Sequence, residues 1–149
     1  MIRAARPDDL EAVLRLSRQL NPDDPPLTDA AARPVFDAIL AAPGLTLFVL
    51  EHEGRVAATT YLNVIPNLTR GASPYAVIEN VVVDESLRGT GLGKRLMAAT
   101  VDAAWRAGCY KVMLATSSTE ESTHAFYRAC GFSSDEKTAY LVRRPATAG

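Results

Sequence analysis

Residues 79–96 read ENVVVDESLRGTGLGKRL. A polar pair, Glu79-Asn80, precedes three valines, then Arg88-Gly-Thr-Gly-Leu-Gly, then a run with helical spacing. Glycines at 89, 91 and 93 lose much conformational freedom between two ordered elements, so the loop calls for a use. Without Cβ atoms the backbone can take positive φ and approach a ligand closely. The first N–H groups of the following helix have no intrahelical acceptor, and the helix dipole adds partial positive charge there. Strand, glycine loop and helix together predict an anion site, with phosphate or pyrophosphate as the expected ligand. Arg88, Lys94 and Arg95 supply cations nearby.

Two familiar phosphate loops fail on spacing. A P-loop around Gly93-Lys94 would need glycine at 88 and a hydroxyl residue at 95, and both positions are arginine. The dinucleotide fingerprint begins at Gly89-Thr90-Gly91, but position 94 is lysine and residues 109–115 carry no acidic residue for a ribose. A tight turn with no ligand is the plain alternative for an isolated loop of this kind.

Composition narrows the classes. The chain has 149 residues with 48% apolar content, enough for one domain with a real core, read as residues 1–149. Sixteen basic residues face 17 acidic ones, for a net charge of −1. No basic excess points to nucleic acid. No apolar run approaches the roughly 20 residues that span a bilayer, and the N-terminus lacks the apolar stretch of a signal peptide. Cys109 and Cys130, without a Cys-x-x-Cys spacing, suggest thiols in a reducing, cytoplasmic setting.

Periodicity gives the element order. A strand is expected over residues 1–6. A helix then starts at Pro7-Asp8-Asp9, with Asp8 as N-cap, Glu11 in the capping-box position, and Val13, Leu14, Leu16 and Leu20 inward. Residues 21–27 carry three prolines and form a loop. A second helix spans Thr28–Ala41. Leu45–Glu51 and Arg55–Val64 read as a hairpin turning at Glu53-Gly54. Residues 66–74 form a loop, and Tyr75–Val83 a strand. Leu92–Ala107 reads as a helix with Leu92, Leu96, Ala99 and Ala103 as its stripe. Lys111–Ala115 is a strand. Ser118 with Glu121 opens another helix that ends near Gly131. Thr138–Arg143 is the expected last strand. The order βααβββαβαβ predicts an α/β fold with a mixed sheet and helices on both faces.

Some side chains interrupt these patterns. Adjacent Glu79 and Asn80 place one polar group on each face of a strand, and at least one then needs a partner or a purpose. Asn80 could bond a loop and Glu79 could pair with an arginine. Tyr127, within FYRACGF, sits near the end of a short helix, where a tyrosine is ordinarily a core or rim residue. His124 lies three positions earlier on the same helix, so it competes as a base, although it is expected to be exposed. His52 reads as a solvated turn residue and Cys130 as core.

Taken together, Arg88-x-x-Gly91-x-Gly93, the valine strand before it and FYRACGF after it resemble the GNAT superfamily of acyl-CoA-dependent N-acetyltransferases. The element order is similar to that fold, with a mixed, mostly antiparallel sheet. The resemblance implies acetyl-CoA as cosubstrate and requires no metal. It implies that Arg88, Gly89, Thr90, Gly91, Leu92, Gly93 and Lys94 hold the pyrophosphate. Main-chain groups along Val81, Val82 and Val83 would pair with the pantetheine arm like an added strand. Thr116 to Ser118 would lie near the arm's other side. Tyr127 matches the tyrosine facing the sulfur.

The expected chemistry follows from ordinary acid–base values. Amines with pKa near about 10 are mostly protonated at neutral pH, so a base must take a proton. Glu79 is the expected base, through water, and Tyr127 the expected acid for the leaving thiolate. The N–H of Val81 could stabilise negative charge on the thioester oxygen. The expected acceptor is a small-molecule amine, with a protein N-terminus or lysine as the alternative. Its expected contacts are Asn63, Asn67, Arg70 and Tyr75, with Tyr61, Thr69, Asp23 and Asp24 nearby. Residues 78–96 and CYKVML are similar to the branch that acetylates glucosamine 6-phosphate; FYRACGF is similar to aminoalkylphosphonate acetyltransferases. A homodimer is implied by the family. An acyl-CoA sensor without turnover and a nucleotide-binding module are the readings from other classes.

Overall fold

The computed structural model describes residues 1–147 as two compact units. The first runs from Met1 to Leu114 and the second begins at Ala115. In the first unit, β1 (Ile2–Ala4), β2 (Leu45–His52), β3 (Arg55–Ile65), β4 (Tyr75–Val83) and β5 (Val112–Met113) form one sheet in chain order. All neighbours are antiparallel except β4 and β5, which are parallel. The mixed sheet expected from the element order, and the mostly antiparallel pairing implied by the resemblance, are therefore present.

Helices α1 (Leu10–Leu20) and α2 (Asp29–Ala41) cover one face. Leu10, Val13, Leu16, Ala32 and Phe36 pack there against Leu47, Val49, Val56 and Val82. Helix α4 (Leu92–Arg106) covers the other, where Leu92 and Leu96 meet Leu50, Ala57 and Ala58. Each fully buried aliphatic side chain contributes about 1.5–3 kcal/mol, so these two layers carry the unit. The stripe of α4 is turned from the expected one. Met97, Thr100 and Ala104 are buried beside Leu96, whereas Ala99 and Ala103 are only half-buried.

The helix starts differ in detail from the sequence reading. Asp9 rather than Asp8 organises the entry to α1, accepting from the Arg6 amide at 2.7 Å after a single 3-10 turn (Pro7–Asp9). Asp9 also takes both terminal nitrogens of Arg3, at 2.7 and 2.9 Å, and Arg3 Nε donates to Glu51 at 2.8 Å. This ties β1, the start of α1 and β2 together, and the guanidinium holds the Asp9 carboxyl below the usual carboxylate range. Thr28 caps α2 through Ala31 N–H as a threonine N-cap should. The β2–β3 hairpin turns on Glu53 and Gly54, at φ of 50° and 77°. Both values suit a two-residue turn that follows the strand twist.

Residues 66–74 are not wholly irregular: α3 (Thr69–Ala72) is a helical turn broken by left-handed residues at 70 and 71. In the second unit, α5 spans Glu121–Ala129. The capping box at its start does not form. Glu120 is the cap, and Ser118 instead accepts from the Glu120 amide and donates to Thr123. Thr138–Arg143 is not a strand, and Tyr140, Leu141 and Val142 are exposed. Strand propensity alone does not order a segment that lacks a ladder partner. Among the described residues, no helix is long and apolar enough to cross a membrane.

Candidate active site

Strand β4 carries the candidate site, and its geometry depends on one irregularity. Thr59 opposes Val82 and Tyr61 opposes Glu79, so the single Thr60 faces both Asn80 and Val81. This is a β-bulge on β4, and it leaves main-chain groups there out of the ladder. Asn80 makes the bend with φ of 49°, a left-handed conformation that asparagine tolerates better than most residues. Opposite the bulge, Thr60 is fixed from behind. Its hydroxyl meets that of Thr100 at 2.8 Å, and Thr100 bonds the Leu96 carbonyl at 2.8 Å. Each hydroxyl has one hydrogen, so Thr60 donates to Thr100.

The bulge changes which residues share a face. Glu79 and Val82 are three positions apart and would point oppositely in a regular strand. Here both face α1 and α2. Val82 is buried in that core, and Tyr61, opposite Glu79, packs at its edge. Burial pushes the Tyr61 phenol up. Glu79 itself is exposed. Asn63 opposes Val77, so Tyr61, Asn63, Val77 and Glu79 line one patch of the sheet. Glu79 is thus an outward carboxylate on one face, and Asn80, opposite Thr60 on the other, shapes the backbone at the bend.

The other edge of β4 opens early. Its pairing with β5 covers Ala76 with Val112 and Val77 with Met113. From Ile78 to Val83, no described strand lies on that side. The open edge runs past half-buried Val81 and Val83 into the glycine loop. Gly89 and Gly91 have φ of 78° and 86°, and a Cβ at either would meet nothing within 4 Å. Conformation rather than crowding therefore demands glycine there, and the space in front stays open. Gly91 caps α4 with no side-chain hydrogen bond, and Leu92 and Gly93 are buried behind it. Thr90 closes the loop on the Leu87 carbonyl at 2.5 Å, and Arg88 Nε reaches the Val83 carbonyl at 3.4 Å. Arg88 and Lys94 are exposed. These features fit an anion and an extended chain leading to it.

The remaining candidates divide into two groups. Asn67 donates to Thr69 Oγ1 at 2.8 Å and to the Ser73 carbonyl at 3.2 Å, so its amide braces its own loop. Arg70 lies 5.7 Å from the Tyr110 ring, and Lys111 Nζ lies 5.2 Å from the rings of both Tyr75 and Tyr110. Val64, Pro66, Asn67, Leu68, Ala72 and Pro74 line an open cleft of about 500 Å³ beside them. In the second unit, half-buried Tyr127 makes edge-to-face contacts with Phe126 and Phe132, at 5.3 and 6.4 Å between ring centres. His124 is half-buried rather than exposed. Its Nε2 is 2.9 Å from the Ser118 carbonyl, an acceptor, so that nitrogen carries the hydrogen. Sequence reasoning missed Thr60, Thr100 and the bending role of Asn80; a polar residue inside a valine run was the one available signal.

A strand with a free edge, bent by a bulge and continued by a glycine loop into an uncapped helix, is the framework of an acyl-CoA-dependent acyltransferase. Residues 10–132 match the acetyltransferase (GNAT) family, and the chain belongs to it. It is an acetyl-CoA-dependent N-acetyltransferase. The glucosamine 6-phosphate N-acetyltransferase of Trypanosoma brucei brucei is 34% identical over 141 residues, 94% of this chain and 93% of that protein. A putative acetyltransferase from Agrobacterium tumefaciens has a solved structure with a TM-score of 0.93 and 48% identity, covering 97% of this chain and 99% of that one. An aminoglycoside N-acetyltransferase solved in complex with CoA has a TM-score of 0.79 and 26% identity, covering 97% and 95%.

Proposed function

We propose that the protein acetylates a primary amine on a small molecule, an amino sugar or a relative of one, by direct attack on acetyl-CoA. The observation that carries this is the continuous path from exposed Glu79, through the bulge, along the free edge of β4 and into the loop at Gly89–Gly91. The named activities of two relatives, on glucosamine 6-phosphate and on aminoglycosides, support an amino sugar. Acetyl-CoA supplies the activated acyl group.

The chain's own residues do the rest. Main-chain groups of Val81 and Val83 align the pantetheine arm, with Val82 anchoring the strand beneath. The N–H groups of residues 89–94 and the Arg88 and Lys94 cations hold the pyrophosphate. Glu79 accepts the amine proton through a water, because its carboxylate stands outward on the patch with Tyr61 and Asn63. Tyr127 gives a proton to the departing sulfur, and Ser118 flanks the arm. The N–H of Val81, at the bulge, stabilises negative charge on the carbonyl oxygen. Asn63, Asn67, Arg70 and Tyr75 meet the acceptor. Residues 1–149 work as one catalytic domain in this reading. The reading is completed by a cytoplasmic homodimer, for which the exposed Tyr140, Leu141 and Val142 are the support.

The test is thiol release from acetyl-CoA with a panel of amines: glucosamine 6-phosphate, an aminoglycoside, a polyamine and a peptide N-terminus. Turnover on an amino sugar supports the reading; turnover on the peptide alone overturns the acceptor class. Glu79→Gln should lower kcat about 100-fold or more while acetyl-CoA still binds. Tyr127→Phe should lower kcat about tenfold. A normal rate in either variant removes that residue from its role.

A further inference from the structure

The turn between β4 and the glycine loop is held from outside. Asp84 is buried, and the Glu85–Leu87 turn starts on it. One carboxylate oxygen accepts from the Ser86 amide at 3.1 Å and from the Ser86 hydroxyl at 2.7 Å. The other accepts from Arg15 Nη1, on α1. Arg15 Nη2 continues to the Val56 carbonyl at 2.7 Å, and the Asp84 amide donates to the Ala57 carbonyl at 2.8 Å. One turn along α1, Gln19 Oε1 accepts from the Glu85 amide at 2.9 Å. Arg15 and Gln19 are four apart, so one face of the helix presents both to the turn. They grip it at consecutive residues, Asp84 and Glu85, four and three positions before Arg88.

We infer that Arg15 and Gln19 are positioning residues that set the height and angle at which the glycine loop meets the pyrophosphate of the donor. Nothing in a solvated helix face requires a guanidinium to reach both a buried carboxylate and a carbonyl of β3. Removing Arg15 would leave the Asp84 carboxylate buried with fewer donors, and the turn would relax toward water. The loop would then keep its glycines and its cations but lose registry with the free edge of β4. A displacement of that kind removes binding energy the donor gains from the cradle equally in ground state and transition state, so it is read in KM rather than kcat. The inference rests on the proposed use of the glycine loop as the pyrophosphate cradle.

The experiment compares two donors. Acetyl-CoA carries the pyrophosphate; S-acetylpantetheine carries the same thioester and arm without it. Arg15→Met keeps the stem and removes the charge, and Gln19→Leu removes only the amide acceptor. With acetyl-CoA, KM should rise about tenfold for Arg15→Met and about threefold for Gln19→Leu, with kcat nearly constant. With S-acetylpantetheine, kcat/KM should stay within about twofold of the parent. Arg15→Lys, which keeps one charged donor, should restore part of the KM. Equal losses with both donors would show a general structural role and overturn the inference, as would an unchanged KM in both variants. Thermal melts identify a variant that fails to fold, and Gln19→Leu then carries the test. A parent enzyme that does not prefer acetyl-CoA over S-acetylpantetheine would instead overturn the cradle reading itself.

Discussion

The two ends of β4 are built on opposite principles. At its C-terminal end the backbone is presented: a bulge, a free edge and two left-handed glycines expose main-chain groups, and α1 braces the turn between them. Near its N-terminal end, side chains stand beside the cleft: Arg70 and Lys111 lie on aromatic rings and Asn67 braces its loop. Backbone presentation is indifferent to most substitutions outside the glycines and the bulge. Side-chain presentation changes with every residue. Under the proposed function the first end takes the donor, which stays the same, and the second the acceptor, which differs among relatives.

Three substitutions probe that contrast. The largest effect is expected from Gly91→Ala. A non-glycine residue at φ of 86° is strained by about 1–2 kcal/mol, and acetyl-CoA KM should rise about tenfold with the acceptor KM unchanged. Matching rises in both constants would show that the two ends are not separable.

Asp84→Asn tests the brace through stability. The Ser86 hydroxyl and amide, aided by Arg15, lower the Asp84 carboxyl from 3.8 to about 2. A carboxyl depressed on folding adds stability above its unfolded value, and that stability disappears as pH falls through its folded value. The parent should therefore melt roughly 5 °C above the variant at neutral pH. The gap should close between about pH 4 and pH 2. A gap that persists at pH 2 would place the effect elsewhere.

The smallest effect belongs to the proposed acceptor end. Arg70→Ala removes one exposed cation stacked on Tyr110, a contact of about 0.5–1 kcal/mol. Its KM for an anionic acceptor should rise about threefold and its acetyl-CoA KM should not move. A change confined to acetyl-CoA would reverse the assignment of the two ends.

How much could be read in advance follows the same division. The glycine loop and its strand were legible because backbone needs leave residue types behind: glycine for positive φ, valine for a covered strand, an uncapped helix start. Strand and helix spans in the first unit were close for the same reason, as with Tyr75–Val83. The bulge was not legible, because an asparagine in a strand has several uses and only the register with Thr60 selects one. The brace was hidden too. Arg15 and Gln19 look like an ordinary solvated helix face until the turn at Asp84 comes beside them. Thr138–Arg143 failed in the opposite sense, with good strand residues and no ladder to join.

The bulge also fixes the phase of everything before it. If Asn80 were deleted, Tyr75–Glu79 would have to rotate by half a turn to keep Val82 in its core. Ala76 and Ile78, now 0% and 1% exposed, would turn toward α1 and α2, and Glu79 would point at α4. A chain with every side chain of the patch intact, but one backbone unit shorter, would carry the Glu79 carboxylate on the opposite face. With Glu79 as the proposed base, the length of β4 matters to the reaction as much as any side chain on it.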